Sequence, residues 1–191
     1  MLATSNPGKV RELRRLLAAV VPEIVTPAEL SLALDVDEHG ATYAENATLK
    51  AQAFATAGRC PALADDSGIE VDALGGPGPR SARYGGPDLD DAGRTQRMLE
   101  EMRQVPEGAR GARYRAVVAI ALPDGRVEHF EGTWEGQIGH EFRGEGGFGY
   151  DPIFVTADGR TAAELSAEEK DAVSHRGRAV RAAADWLRSA Q

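Results

Sequence analysis

The chain has 191 residues, a formal net charge of −8 and an ordinary 42% of hydrophobic residues. This fits one globular domain over residues 1–191, and the acidic balance argues against nucleic acid or an anionic membrane as partner. No apolar run is long enough to span a bilayer, Met1 leads into polar residues without a signal-peptide core, and the single cysteine, Cys60, excludes an internal disulfide, so a cytoplasmic setting is expected.

In chain order, Leu2 to Ser5 reads as a short strand, and Asn6-Pro7 as an N-cap followed by proline at the first helical position. The spacing of Val10, Leu13, Leu16, Leu17 and Val20 predicts a helix to about Val21, with Arg11, Glu12, Arg14 and Arg15 on its polar side. Ile24-Val25 suggests a second strand and Asp35 to Gly40 a loop. Thr42 and Glu45 have capping-box spacing and open a helix through about Ala57, ended by Gly58. Pro61 to Ala64 reads as a strand that stops at Asp65-Asp66, where Ser67-Gly68 begins a turn.

Beyond the aspartates, Gly75 to Pro79 is read as a surface loop. A helix follows from about Asp88 to Arg103. Arg113 to Leu122 and Arg126 to Trp134 are strands joined by a hairpin turn at Pro123-Asp124-Gly125. Gly136 to Gly149 is glycine-rich and turn-like, and Ser174 to Ala190 is helical. Strands alternating with helices, then a hairpin, predict an α/β fold with a mixed, twisted sheet and flanking helices, in two lobes with a substrate cleft between them.

Four segments carry chemistry. Thr4, Ser5, Asn6, Pro7, Gly8 and Lys9 place small polar residues and a lysine at a strand-to-helix turn, where backbone N–H groups and the helix dipole favour an anion such as phosphate. Three of the 22 basic residues are lysines, Lys9, Lys50 and Lys170, and all fall in or beside these segments. Glu38, Glu45, Asp65 and Asp66 offer the oxygen ligands that Mg²⁺ prefers, although Glu45 also completes the capping box. Neighbouring residues of a strand point to opposite faces, so Asp65 and Asp66 need not share a role. Phe148, Gly149, Tyr150 and Asp151 follow a glycine pair, and the aromatic face of Phe148 suits stacking on a base. His175 and Arg176 open the last helix, where positive charge needs an acceptor nearby.

The motifs TSNPGK at 4–9, ENA at 45–47, ADDSG at 64–68, SARY at 81–84, GGFGYDPIF at 146–154, TAAEL at 161–165 and SHR at 174–176 closely resemble those of the inosine/xanthosine triphosphate pyrophosphatase family, over nearly the whole chain. The resemblance implies Mg²⁺-dependent hydrolysis of XTP, ITP and dITP to the monophosphate and pyrophosphate, by a homodimer with a cleft between two lobes. It implies Asp66 as general base and metal ligand, Glu38 or alternatively Glu45 as the second metal acid, and Ser67 as a substrate contact. Thr4 to Lys9 and Lys170 resemble the phosphate-binding segments; Phe148 to Asp151, His175 and Arg176 resemble the base pocket, with Arg176 aimed at the keto oxygen of the purine. Two departures stand out: only three residues precede the first motif, which implies a short first strand or a truncated start, and Glu145 replaces a small or hydroxyl residue before the glycine pair.

Overall fold

A computed structural model describes residues 1–189. Helix α1, Pro7–Leu17, begins as its cap predicts: the Asn6 side-chain oxygen accepts from the N–H groups of Gly8 and Lys9, at 2.8 and 3.1 Å. Helix α2, Tyr43–Gly58, opens on a complete capping box between Thr42 and Glu45 and ends at Arg59 in the left-handed conformation. Strand β1, Ala62–Val71, runs straight through both aspartates instead of stopping at them. The expected turn at Ser67-Gly68 is therefore absent, and the chain bends only after Val71.

Next come the two-residue strand β2, Gly76–Pro77, within the segment expected to be all loop, and helix α3, Asp91–Glu101, shorter at both ends than the expected span. The hairpin strands are β3, Gly111–Ala121, and β4, Val127–Ile138, so β4 claims the first residues of the stretch read as turn-like. Strand β5, Phe154–Val155, helix α4, Ala167–Val173, and helix α5, His175–Ser189, complete the order. The predicted end of the last helix, Ala190, lies outside the described residues.

The strands form one sheet in the order β2-β1-β3-β4-β5. Pairing is antiparallel for β1 with β2 and for β4 with β5. The expected first strand reduces to a single parallel bridge, Leu2 with Leu63. Val25 likewise forms no strand, although its carbonyl accepts from the Leu2 N–H.

The chain divides into two compact units, one made of Met1–Asp66, Ala116–Gly132 and the segment from His175, the other of Ser67–Arg115 and Thr133–Ser174. The first has a core on each face of its strands. Leu63, Ala116, Val118 and Ile120 pack with Leu13 and Leu17 of α1 and with Ala179, Val180 and Ala183 of α5. Ala62, Ala64, Val117, Ala119 and Ala121 pack with Ala47, Ala51 and Phe54 of α2. The alternation of Ala62, Leu63 and Ala64 is the period of two that a strand buried on both faces imposes. Small alanines against α2 let that helix lie close.

The second unit is built around aromatic rings. Ile69 and Val71 of β1, Met98 of α3, Tyr114 of β3 and Trp134 of β4 share a core with Tyr150 and Phe154. The Tyr114 and Phe154 rings stand 4.6 Å apart between centroids, and those of Trp134 and Phe154 stand 5.1 Å apart. Gly68 has no side chain because a Cβ there would overlap the Gly78 carbonyl and crowd the Ser81 hydroxyl. That hydroxyl accepts from the Ile69 N–H at 2.8 Å and donates to the Gly78 carbonyl at 2.6 Å.

Candidate active site

The period of two continues through the aspartates and sorts them. Asp65 shares the face of Leu63, toward α1 and α5, and Asp66 shares the face of Ala64, toward α2. The Asp65 carboxylate meets Lys9 Nζ of α1 at 2.8 Å and accepts from the Arg176 guanidinium of α5 at 3.1 Å. Arg176 donates with its other terminal nitrogen to Glu12 of α1. Asp65 is 1% exposed, Arg176 2% and Glu12 6%, so four alternating charges are gathered around one strand residue. Burial alone would raise the Asp65 pKa, but Arg176 and Lys9 overturn it and hold the carboxyl well below the usual range. Arg176 is correspondingly held protonated, because Asp65 and Glu12 outweigh its burial.

Asp66 has a different setting. Its carboxylate accepts from Asn46 Nδ2 at 3.3 Å and lies 3.5 Å from Lys50 Nζ, both on α2. Lys50 is also 2.8 Å from the Glu38 carboxylate. Burial pushes the Asp66 carboxyl up, the Lys50 and Lys9 ammoniums oppose that, and neighbouring Asp65 and Glu38 add to it. The two acids thus differ by physical cause: Asp65 is locked in its charged form, whereas Asp66 has heightened proton affinity.

The two lysines meet at a third atom. Lys9 Nζ and Lys50 Nζ both donate to the main-chain carbonyl of Asp65, at 3.1 and 3.2 Å. Burial lowers the Lys9 pKa despite Asp65, and repulsion from the Lys50 ammonium adds to it. Such a pair is a ready partner for a polyanion. Of the remaining phosphate-turn residues, Asn6 caps α1, Thr4 Oγ1 accepts from the Asn6 N–H at 3.2 Å, Gly8 is buried, and Ser5 and Pro7 are exposed.

Glu45 accepts from the N–H groups of Ala41 and Thr42, at 2.6 and 3.2 Å, so its carboxylate is committed to the helix start. Glu38 is the glutamate that joins Asp66. Among the described residues no group of three or more His, Cys, Asp or Glu side chains gathers to hold a metal ion. The donor set of Glu38 and Asp66 nevertheless fits magnesium, since two hard oxygens already converge on one cation, the Lys50 ammonium. Magnesium needs only one or two carboxylates when water and phosphate complete its shell.

In the second unit, Asp151 organises the glycine loop. Its carboxylate is 2% exposed and accepts from the Phe148 N–H at 2.8 Å, from the Tyr114 hydroxyl at 3.2 Å and from Lys170. The Lys170 ammonium also lies 5.1 Å from the Phe148 ring centre, a cation–π distance that fixes the ring's orientation. Gly147 has φ of +71° and a Cβ there would overlap the Asp151 carboxylate, which is why the loop needs glycine at that position. Gly149 accepts at its carbonyl from Thr95, and the Tyr150 hydroxyl donates to the Ser81 carbonyl at 2.8 Å. Ser67 is half-buried in β1.

Two of the expected substrate contacts, Lys170 and Arg176, have protein partners in this structure. Lys170, expected at phosphate, is buried against Asp151 and Phe148. Arg176, expected to read the purine, has its terminal nitrogens on Glu12 and Asp65, because two buried carboxylates require a cation between them. His175 is 4% exposed at the start of α5. Sequence alone singles out Lys50 as one of three lysines beside these segments, but gives no role to Asn46, Tyr114 or Glu12. Glu12 was placed on the polar side of α1, yet its spacing of three from Lys9 puts both on one face and was the available signal.

The model of the Ham1 family matches residues 1–186, and the chain belongs to that family. A dITP/XTP pyrophosphatase of Symbiobacterium thermophilum is 53% identical over 184 residues, covering 94% of this chain and 90% of its own. The dITP/XTP pyrophosphatase of Yersinia pseudotuberculosis is 49% identical over 194 residues, covering 100% and 98%. A solved HAM1 protein from Coxiella burnetii superposes with a TM-score of 0.88 at 40% identity, covering 98% of this chain and 97% of its own.

Proposed function

We propose that this chain hydrolyses deaminated purine nucleoside triphosphates, XTP, ITP and dITP, to the nucleoside monophosphate and pyrophosphate. The names of its relatives support the substrate class, and one observation carries the chemistry: Asp66, with raised proton affinity, stands beside two ammoniums that share the Asp65 carbonyl. Lys9 and Lys50 hold and neutralise phosphate oxygens. Asp66 takes a proton from water, and that water attacks the α-phosphorus as pyrophosphate leaves. Asp65 stays ionised and fixes Lys9, while Arg176 and Glu12 fix Asp65. When bound at Glu38 and Asp66, magnesium supplies further charge neutralisation at the phosphates.

In the second unit, Phe148, Gly149, Tyr150 and Asp151 are assigned to the nucleotide base, with Lys170 holding Phe148 and Asp151 in place. Ser67 and His175 are assigned as substrate contacts. The same reading makes the enzyme a cytoplasmic homodimer.

The test is pyrophosphate release from XTP, ITP, dITP, ATP and dTTP with and without magnesium. Turnover of the three deaminated purines, strongly preferred over ATP and dTTP, is expected, with Asp66→Asn inactive yet folded by circular dichroism. No turnover of any nucleotide, or wild-type rates in Asp66→Asn, would overturn the reading.

A further inference from the structure

Asn46 lies in the first turn of α2 and is 4% exposed. Its side-chain oxygen accepts from the Gly40 N–H at 2.8 Å, and its side-chain nitrogen donates to Asp66 Oδ2 at 3.3 Å. Chemistry fixes which end is which, because a backbone N–H can only face an acceptor, so the NH₂ must turn to the carboxylate. Gly40 lacks a side chain for the same reason: a Cβ there would come within 2.6 Å of Asn46 Oδ1 and 2.7 Å of Glu45 Cβ.

The two ends of this amide reach the two halves of the acid cluster. Gly40 closes the loop that carries Glu38, and Glu38 meets Lys50, which lies one helical turn after Asn46 and also approaches Asp66. Besides the amide, the flexible Lys50 side chain links Glu38 of the loop to Asp66 of the strand.

We propose that Asn46 is a positioning residue for the reaction, holding the Asp66 carboxylate and the Glu38 loop at a fixed separation. This rests on the hydrolase reading of Asp66. It acts through Asp66 by restricting its rotamer and through Gly40 by anchoring the loop.

Two substitutions separate the two hydrogen bonds. Asn46→Asp keeps an acceptor for Gly40 but sets an oxygen against Asp66, whereas Asn46→Ala removes both. Steady-state kinetics with ITP and hydrogen exchange at the Gly40 amide are read together. Both variants should lose about 10- to 100-fold in kcat, as for other residues that orient a reacting group, with KM within about twofold of wild type. Gly40 should stay protected in Asn46→Asp and lose protection in Asn46→Ala. If Asn46→Ala unfolds, Gly40→Ala serves instead, since its Cβ displaces the Asn46 oxygen, and it should lower kcat likewise. Wild-type kcat in Asn46→Asp overturns the proposal, as does unchanged Gly40 protection in Asn46→Ala or wild-type kcat in Gly40→Ala. Absence of turnover in the wild-type protein would instead sink the hydrolase reading, and the exchange measurement would still decide whether the tether exists.

Discussion

Arg176 shows what a buried cation does when it stands between acids. Both of its neighbours are carboxylates with almost no access to water, so deleting the guanidinium takes a buried cation from Glu12 and leaves Asp65 with Lys9 as its remaining ion-pair partner here. Arg176→Ala should therefore cost about 3–5 kcal/mol of stability, as removal of one partner from a buried ion pair typically does. Urea unfolding checks this, and a loss below about 1 kcal/mol, the range of exposed pairs, would show that the network is wetter than its geometry says. At this scale the sequence was partly legible. The separate duties of Asp65 and Asp66 follow from strand alternation alone. The partners of Arg176 do not, because Asp65 is 111 positions away and Glu12 164, and nothing local encodes such pairings. Lys170 and Asp151 each stand out in the sequence, but their mutual contact across 19 positions does not.

Elements with local start signals were the most readable. Asn6-Pro7 and the Thr42–Glu45 box set the starts of α1 and α2, since caps are satisfied within one turn of chain. The full length of strand β1 is hidden in the sequence because two adjacent carboxylates look too costly to bury, and the cations that offset them, Lys9, Lys50 and Arg176, are distant in sequence. The two-residue strands β2 and β5 have no periodicity to detect. One glycine governs how α5 meets the sheet: a Cβ at Gly132 of β4 would overlap the His175 carbonyl and come within 2.9 Å of the Ala179 nitrogen. Backbone atoms cannot rotate aside. Gly132→Ala should thus shift the first turn of α5, with Arg176 in it, and destabilise the fold by about 1–3 kcal/mol, the usual cost of overpacking. Thermal unfolding paired with kcat reads both effects, and an unchanged melting temperature would mean that α5 tolerates the shift.

Taken as a whole, the molecule is acidic, and its candidate catalytic centre sets three cations, Lys9, Lys50 and Arg176, among four carboxylates, Glu12, Glu38, Asp65 and Asp66. The net charge of −8 is an average over the whole chain and does not describe the local balance around β1. No helix among the described residues is long and apolar enough to cross a membrane. Both units carry apolar cores built from side chains alone. Chelation by EDTA should accordingly abolish pyrophosphate release while leaving circular dichroism and the urea midpoint unchanged. A large loss of structure on chelation would instead make the metal part of the fold.

The alternation of Asp65 and Asp66 also polices strand register. A slip of β1 that moved Asp65 into the place of Asp66 would turn every side chain to the opposite face, handing Asp65 to Asn46 and Lys50 and leaving Arg176 and Lys9 without their acid. It would equally drive Leu63 into the close-fitting alanine face of α2. Hydrophobic size and charge order therefore reject the same misfolded alignment independently, so a single-residue deletion between Ala62 and Asp66 is worse tolerated here than in a strand patterned by apolar residues alone.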